Sequence, residues 1–137
     1  MNFERSIRDG YARKVPVDMI RARNLMQSAK DAVSTAHGIK PEERKLKTIM
    51  RELYEGLREF CEAIGYMRGY KFLSHESIAY FIDDVLHEPA LAGRFDRYRK
   101  IRNGINYYGH SISPETVREA ASEIPKMLEL LEKHAHE

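Results

Sequence analysis

The densest group of side chains that could do chemistry lies between residues 94 and 110. The segment RFDRYRKIRNGINYYGH combines five basic residues, four aromatic residues, two asparagines and one histidine. On a helix, Arg99, Arg102 and Asn106 would be spaced by three and four positions and would project from one face as a row of donors. Such a row suits phosphate, because a guanidinium group offers a planar fork that matches phosphate oxygens.

The tyrosines of this segment have two interpretations. Tyr98, Tyr107 or Tyr108 could stack on an unpaired base beside the basic row. Alternatively, the basic residues only solvate an exposed helix face, while the tyrosine rings pack in the core and keep their hydroxyls in water. The residue types alone leave both interpretations open.

Two glycines predict how this segment ends. Gly104 costs about 1 kcal/mol relative to alanine inside a helix, so we expect a reason for it, such as close approach by a neighbouring helix or a ligand. Gly109 is typical of a helix C-terminus. His110 is therefore expected at the helix end or just beyond it, near the surface.

Apolar spacings of three and four residues predict the helices that position this segment. One helix spans residues 17–36, with Asp18 as N-cap and Gly38 as stop; a longer one spans residues 41–69, with Pro41 in its first turn. Residues 70–73 are expected to form a connector. Ser74 caps a shorter helix that Pro89 ends, a further helix runs from about residue 95 to Gly109, and Ser113 with Pro114 begins the last one.

The fold class that follows is all-α. No segment shows the apolar alternation of strands, an internal repeat or a glycine-rich phosphate loop. We therefore expect residues 1–137 to form a single domain, an antiparallel up-and-down bundle of four to five helices. Residues 1–15 form a basic arm, either flexible or partly ordered, that carries Arg5, Arg8, Arg13 and Lys14.

Composition restricts the function classes. The 137 residues are 42% hydrophobic and 32% charged, which is typical of a globular protein, and no apolar stretch is long enough to span a membrane. The N-terminus lacks the apolar core of a secretion signal, so a cytoplasmic location is expected. The net charge of +2 does not by itself indicate a nucleic-acid partner. The single cysteine, Cys61, is expected to be a small buried hydrophobic residue.

Three parts of the chain carry a family resemblance. The segment 18–30 (DMIRARNLMQSAK) looks like the opening helix of HEPN proteins, a family named for nucleotide binding in higher eukaryotes and prokaryotes. The segment 62–71 (EAIGYMRGYK), followed by Ser74, His75 and Glu76, is similar to their second helix and its exit. With Arg102 and Asn103, these features cover most of the chain.

The resemblance implies a site at Arg102. The family signature is an arginine, often followed by a polar residue, and then a histidine after four to six intervening residues. In HEPN ribonucleases, the arginine stabilises charge on the scissile phosphate and the histidine assists proton transfer, without a metal ion or other cofactor. Here seven residues separate Arg102 from His110, and Tyr107 occupies the position of the shortest family spacing. Tyrosine, with an ordinary pKa near 10, is a poor general base at neutral pH.

The first expectation is therefore binding of nucleotide or RNA. The resemblance implies the HEPN component of a toxin–antitoxin-type pair with a minimal nucleotidyltransferase, acting as a homodimer, in which a hydroxyl such as that of Tyr107 accepts a nucleotide. One alternative is a metal-independent endoribonuclease that uses Arg102 and His110. The other is a non-catalytic helical dimerisation module. The candidate binding residues are Arg99, Arg102, Asn103, Asn106, Tyr107 and Tyr108.

Two further residues belong to these expectations. Glu62 lies in the segment that resembles the second HEPN helix and could orient Arg102, although a buried salt bridge without a catalytic role is the simpler account. His75 follows the capping Ser74, and we expect it to shape that corner of the fold rather than to act in catalysis.

Overall fold

The computed structural model describes residues 1–136, which are mostly helical. Five long helices pack together, which confirms the predicted all-α bundle, and a short helix and a two-stranded sheet accompany them. Within residues 1–136, no helix is long and apolar enough to cross a membrane. The elements are α1 (Phe3–Arg8), β1 (Ala12–Lys14), α2 (Met19–Gly38), α3 (Leu46–Met67), β2 (Tyr70–Phe72), α4 (His75–Asp84), α5 (Pro89–Tyr108) and α6 (Pro114–Glu132).

The predicted helix caps are confirmed. The side chain of Asp18 accepts a hydrogen bond from the backbone N–H of Arg21 at 3.0 Å, at the start of α2. Ser74 and Ser113 do the same for α4 and α6, at 3.1 and 3.2 Å. Gly109 ends α5 in the left-handed conformation, with φ of 64°. Each cap satisfies a backbone group that the helix end leaves without an internal partner.

Two proline positions were predicted wrongly. Pro41 does not begin a helix; α3 begins at Leu46, after a 3₁₀ turn at Glu43–Lys45, because residues 41–45 carry no large apolar side chain to bury. Pro89 does not end α4, which stops at Asp84. Instead Pro89 is the first residue of α5, where its missing N–H costs nothing, and α5 continues unbroken through Gly93.

The two-stranded sheet corrects the expectation that strands are absent. Strands β1 and β2 are antiparallel, with Ala12 opposite Phe72, Arg13 opposite Lys71 and Lys14 opposite Tyr70. Three-residue strands are too short to show an apolar alternation, and each pairs with a segment far away in the sequence. The supposed connector at residues 70–73 and the N-terminal basic segment therefore stabilise each other.

Helix α3 is the centre of the molecule and contacts α2, α4, α5, α6 and β2. Its side chains Met50, Leu53, Leu57, Phe60 and Ile64 are fully buried. Gly56 lets α2 approach closely, since a Cβ atom at that position would lie 2.7 Å from Val33 Cγ2 and 2.9 Å from the Ala29 carbonyl oxygen. Because α3 is surrounded on several sides, its apolar pattern is the longest in the sequence.

The N-terminal segment packs on the end of the bundle formed by β2 and α4. The ring of Phe3 makes edge contacts with Tyr70 (5.1 Å between ring centroids), Phe72 (6.1 Å) and Phe81 (5.3 Å). Its backbone N–H donates to Asp84 Oδ2 at 2.7 Å. Residues 3–14 thus form part of the fold.

Candidate functional site

Arg102 lies on α5, partly buried between two tyrosine rings. The guanidinium carbon is 5.7 Å from the ring centre of Tyr54 on α3 and 5.7 Å from that of Tyr107. Its Nη1 donates to Asn103 Oδ1 at 3.3 Å. Among residues 1–136, no carboxylate forms an ion pair with it. Most of its N–H groups therefore remain available to an anion.

The four other basic residues of the segment differ from Arg102 because carboxylates neutralise them. The ion pairs join Arg94 to Glu123 (3.5 Å), Arg97 to Glu119 (2.7 Å), and both Arg99 (2.8 Å) and Lys100 (3.0 Å) to Asp96. The pairs of Arg94 and Arg97 join α5 to α6. Burial by itself would raise the pKa of the Asp96 carboxyl. The hydrogen bonds from Lys100 and Arg99 outweigh that effect and lower the pKa below its ordinary value.

The predicted row of donors is only partly available. Arg99 donates to Asp96 Oδ1 through Nε at 2.8 Å, and its side chain is only 15% exposed. Asn106 is exposed, but its side-chain oxygen accepts a hydrogen bond from Arg51 Nε at 2.7 Å. A ligand at either side chain would compete with an existing contact. Of the three residues in the row, Arg102 is the one that presents an uncompensated charge.

Tyr54 and His75 belong to the site, and the sequence did not indicate them as a pair. The Tyr54 hydroxyl and His75 Nδ1 are 3.0 Å apart, and their rings are 5.7 Å apart. Burial, together with the positive charges of Arg58 and Arg102, lowers the pKa of His75 to about 4. His75 is therefore neutral at pH 7, and a hydrogen bond joins its Nδ1 to the Tyr54 hydroxyl. The one indication in the sequence was that Tyr54, which carries a polar hydroxyl, lies among the apolar residues of α3.

Glu62 does not contact Arg102 as its predicted supporting role requires. It forms an ion pair with Arg58, one turn away on the same helix, and Arg58 also binds Glu55. Residues four positions apart on a helix face each other, so Arg58 on the same helix takes up the Glu62 carboxylate. Burial raises the pKa of Glu62, and the charge of Arg58 opposes that effect. The simpler account of Glu62, as one partner of a partly buried salt bridge, matches this geometry.

His110 turns back onto α5 and explains Gly104. Its backbone N–H donates to the Gly104 carbonyl oxygen at 3.0 Å, after the left-handed turn at Gly109. A Cβ atom at position 104 would lie 2.7 Å from His110 Nδ1, so the close approach at this glycine is made by the histidine ring and not by a neighbouring helix or a ligand, as was expected. His110 itself is exposed. The turn places the His110 ring against Gly104, and since residues two apart on a helix do not face each other, this contact does not by itself bring His110 beside Arg102.

The tyrosines divide between the two interpretations. The ring of Tyr98 is buried in the core, as the packing interpretation expects, but its hydroxyl is buried too rather than in water, whereas Tyr107 and Tyr108 are 69% and 74% exposed. The two exposed rings border Arg102 and His110, with 5.7 Å between the ring centres of Tyr108 and His110. Elsewhere, Cys61 is buried as predicted, and burial raises its pKa, so the thiol is not a nucleophile at neutral pH.

Comparisons of this chain with protein-family models, with curated proteins and with solved structures give no match. The chemistry of the site therefore rests on its own residues. It offers one uncompensated guanidinium, two exposed aromatic rings and one exposed histidine around the C-terminal half of α5. These groups suit a planar, anionic ligand.

Proposed function

We propose that this chain is a HEPN-type protein that binds nucleotide or RNA, with Arg102 as the principal phosphate contact. In this proposal it acts in the cytoplasm as a homodimer, and it is the HEPN component of a toxin–antitoxin-type pair with a minimal nucleotidyltransferase. The supporting observation is that Arg102, unlike its basic neighbours on α5, has no carboxylate partner within residues 1–136.

A partly buried charge without a counter-ion is unfavourable, and an anionic ligand would compensate it. Tyr54 fixes the guanidinium group from one side through its ring, which reduces the conformational freedom that binding would otherwise remove. The exposed rings of Tyr107 and Tyr108 provide stacking surfaces for bases. Stacking on such rings contributes about 1–3 kcal/mol per base.

The partner in this proposal acts on Tyr107. Its hydroxyl would attack the α-phosphate of a nucleoside triphosphate, form a phosphodiester bond and release pyrophosphate, with the hydroxyl proton passing to a base of the partner. The exposure of Tyr107 and its contact with Arg102 support this role. An adjacent reading frame encoding a small nucleotidyltransferase would identify that partner.

RNA binding over a range of salt concentrations tests the proposal. We expect Arg102→Ala to weaken binding about tenfold and to lower the salt slope by about 0.7, since one phosphate contact is lost. Arg118→Ala is the matched control, because it removes one positive charge from an exposed arginine paired with Glu115. Equal binding by wild type and Arg102→Ala would overturn the proposal, and no binding by wild type would favour a helical dimerisation module.

A metal-independent ribonuclease is the second candidate, and the observation behind it is that His110 folds back onto α5, the helix that carries Arg102. Arg102 would stabilise charge on the scissile phosphate, and His110 would take up the proton of the attacking 2′-hydroxyl. In the same RNA assay with EDTA present, cleavage that is lost in both Arg102→Ala and His110→Ala would establish this activity. Binding without cleavage that survives in His110→Ala and fails in Arg102→Ala would support the first proposal.

A further inference from the structure

The basic residues of the N-terminal segment fall into two groups. Arg5 forms an ion pair with Asp9, the residue that follows α1, at 3.5 Å, and Arg8 forms one with Glu4 at 3.9 Å. Arg13, on β1, forms no ion pair with any carboxylate in residues 1–136, and it is exposed. The charge of the segment is thus neutralised on the helix and left uncompensated on the strand.

Strand register places Arg13 directly opposite Lys71 of β2. The neighbouring pair, Ala12 and Phe72, is buried, so the alternation of side chains directs Arg13 and Lys71 to the outer face of the sheet. Directly opposed side chains have Cβ atoms about 4.5–5.5 Å apart, and like charges there destabilise the sheet. Lys71 also lacks an ion pair within the described residues. The fold therefore holds two positive charges together without compensating them.

A short stretch of chain links this pair to the Arg102 site. Lys71 precedes His75 by four residues, which spans about 13 Å of extended chain. The Tyr11 carbonyl oxygen accepts hydrogen bonds from the backbone of Leu73 at 2.9 Å and of Ser74 at 3.2 Å, so β1 is tied to the start of α4. His75 then contacts Tyr54, whose ring lies against Arg102.

We infer that Arg13 and Lys71 form a second phosphate contact for the ligand of Arg102, and that this ligand is single-stranded nucleic acid rather than a mononucleotide. This inference rests on the proposed function. Its basis is the pair of opposed charges, since a polyanion would compensate the repulsion that the protein leaves in place. A nucleoside monophosphate such as AMP has a single phosphate and cannot supply one to each position, whereas a strand carries one at every nucleotide. The exposed ring of Tyr11, 49% accessible, adds a stacking surface beside the pair.

Binding of AMP and of a labelled single-stranded RNA, measured side by side over a salt series, tests this inference. We expect the double variant Arg13→Gln/Lys71→Gln to weaken RNA binding roughly fivefold to tenfold and to lower the salt slope by about 0.7, as one phosphate contact is lost. AMP binding should not change. The control Arg5→Gln/Arg8→Gln removes the same charge from the ion-paired residues of α1 and should leave RNA binding within twofold.

The outcomes separate this inference from the proposed function. If Arg102→Ala weakens binding about tenfold while Arg13→Gln/Lys71→Gln binds RNA as wild type does, the second contact is refuted and the first stands. An equal loss in the α1 control would also refute it, since general charge would then explain the effect. Loss of repulsion predicts that the double variant unfolds at the same or a higher temperature than wild type. Thermal unfolding of the variant checks this, and such a result would exclude misfolding as the cause of a loss of RNA binding.

Discussion

His75 is a histidine that the fold keeps neutral. Arg58, Arg99 and Arg102 are close enough for their charges to lower its pKa further than burial alone does, and Glu55 opposes them. A group with a pKa of about 4 is a weak proton acceptor, so His75 is poorly suited to general base catalysis near pH 7. Its contact with Tyr54 instead suits a positioning role, in which the tyrosine ring is held against Arg102.

The low pKa of His75 predicts a pH-dependent stability. The unfolded chain takes up a proton near pH 6.5 and the folded chain only near pH 4, so stability is complete above 6.5 and falls as the pH decreases toward 4. We expect this loss to be about 1–2 kcal/mol, after allowance for the partial exposure of the ring. His75→Gln should show a flatter dependence than wild type in urea unfolding between pH 4 and 6.5.

Tyr54→Phe is the companion variant, since it keeps the histidine and removes its hydrogen-bond partner. It should retain most of the pH dependence, because burial is the largest cause of the low pKa. Parallel stability curves for wild type and His75→Gln would contradict the prediction.

The candidate site shows what residue types alone can predict. Arg102, Tyr107 and Tyr108 were identified from their spacing on one segment. The sequence did not identify the α6 carboxylates that bind Arg94 and Arg97, nor the Tyr54–His75 pair. Packing brings these groups to the site from α3, α4 and α6. Within α5 the sequence also left open which arginine is free, since the Asp96 contact depends on side-chain geometry.

At the scale of the elements, α6 continues through Pro125 although proline has no N–H to donate. The carbonyl oxygen of Ala121, four residues earlier, thereby loses its helical partner. His37 Nε2, on α2, lies 2.9 Å from that oxygen and is positioned to donate to it. A defect within one helix is thus compensated by a hydrogen bond from another.

A double-mutant cycle tests this account. His37→Ala should cost about 0.5–1 kcal/mol in the wild-type background, because the Ala121 oxygen then depends on water alone. In the Pro125→Ala background, the restored backbone N–H satisfies that oxygen, so the cost of His37→Ala should be smaller by about 0.5 kcal/mol. Urea unfolding of the four proteins gives the coupling energy. A coupling of zero would show that the two residues act independently.

The elements also show that the sequence predicted local features of the fold and missed contacts between distant segments. The caps at Asp18, Ser74 and Ser113 were found because their signal lies within four residues. The sheet was not predicted, since Ala12–Lys14 pairs with Tyr70–Phe72 across more than fifty residues of intervening chain. Its one local signal was Gly69, whose φ of 81° and close approach to the Val15 carbonyl oxygen require glycine.

For the whole molecule, the first fourteen residues close one end of the bundle. Phe3 is 3% exposed and packs on rings from both β2 and α4. Composition suggested only a basic arm, because the residues that bury Phe3 are distant in the sequence. Its packing also fixes the position of β1, and through it that of Arg13.

Phe3→Ala should therefore lower the free energy of unfolding by about 3 kcal/mol, the usual cost of removing a buried aromatic ring. Tyr108→Ala is the matched control: it removes a ring of similar size that is 74% exposed, and it should change stability by less than about 0.5 kcal/mol. Chemical denaturation of both variants checks the prediction. Equal stability of Phe3→Ala and Tyr108→Ala would mean that the N-terminal segment does not contribute to the folded core. In that case β1 would not hold Arg13 opposite Lys71, and the second phosphate contact would lose its structural basis.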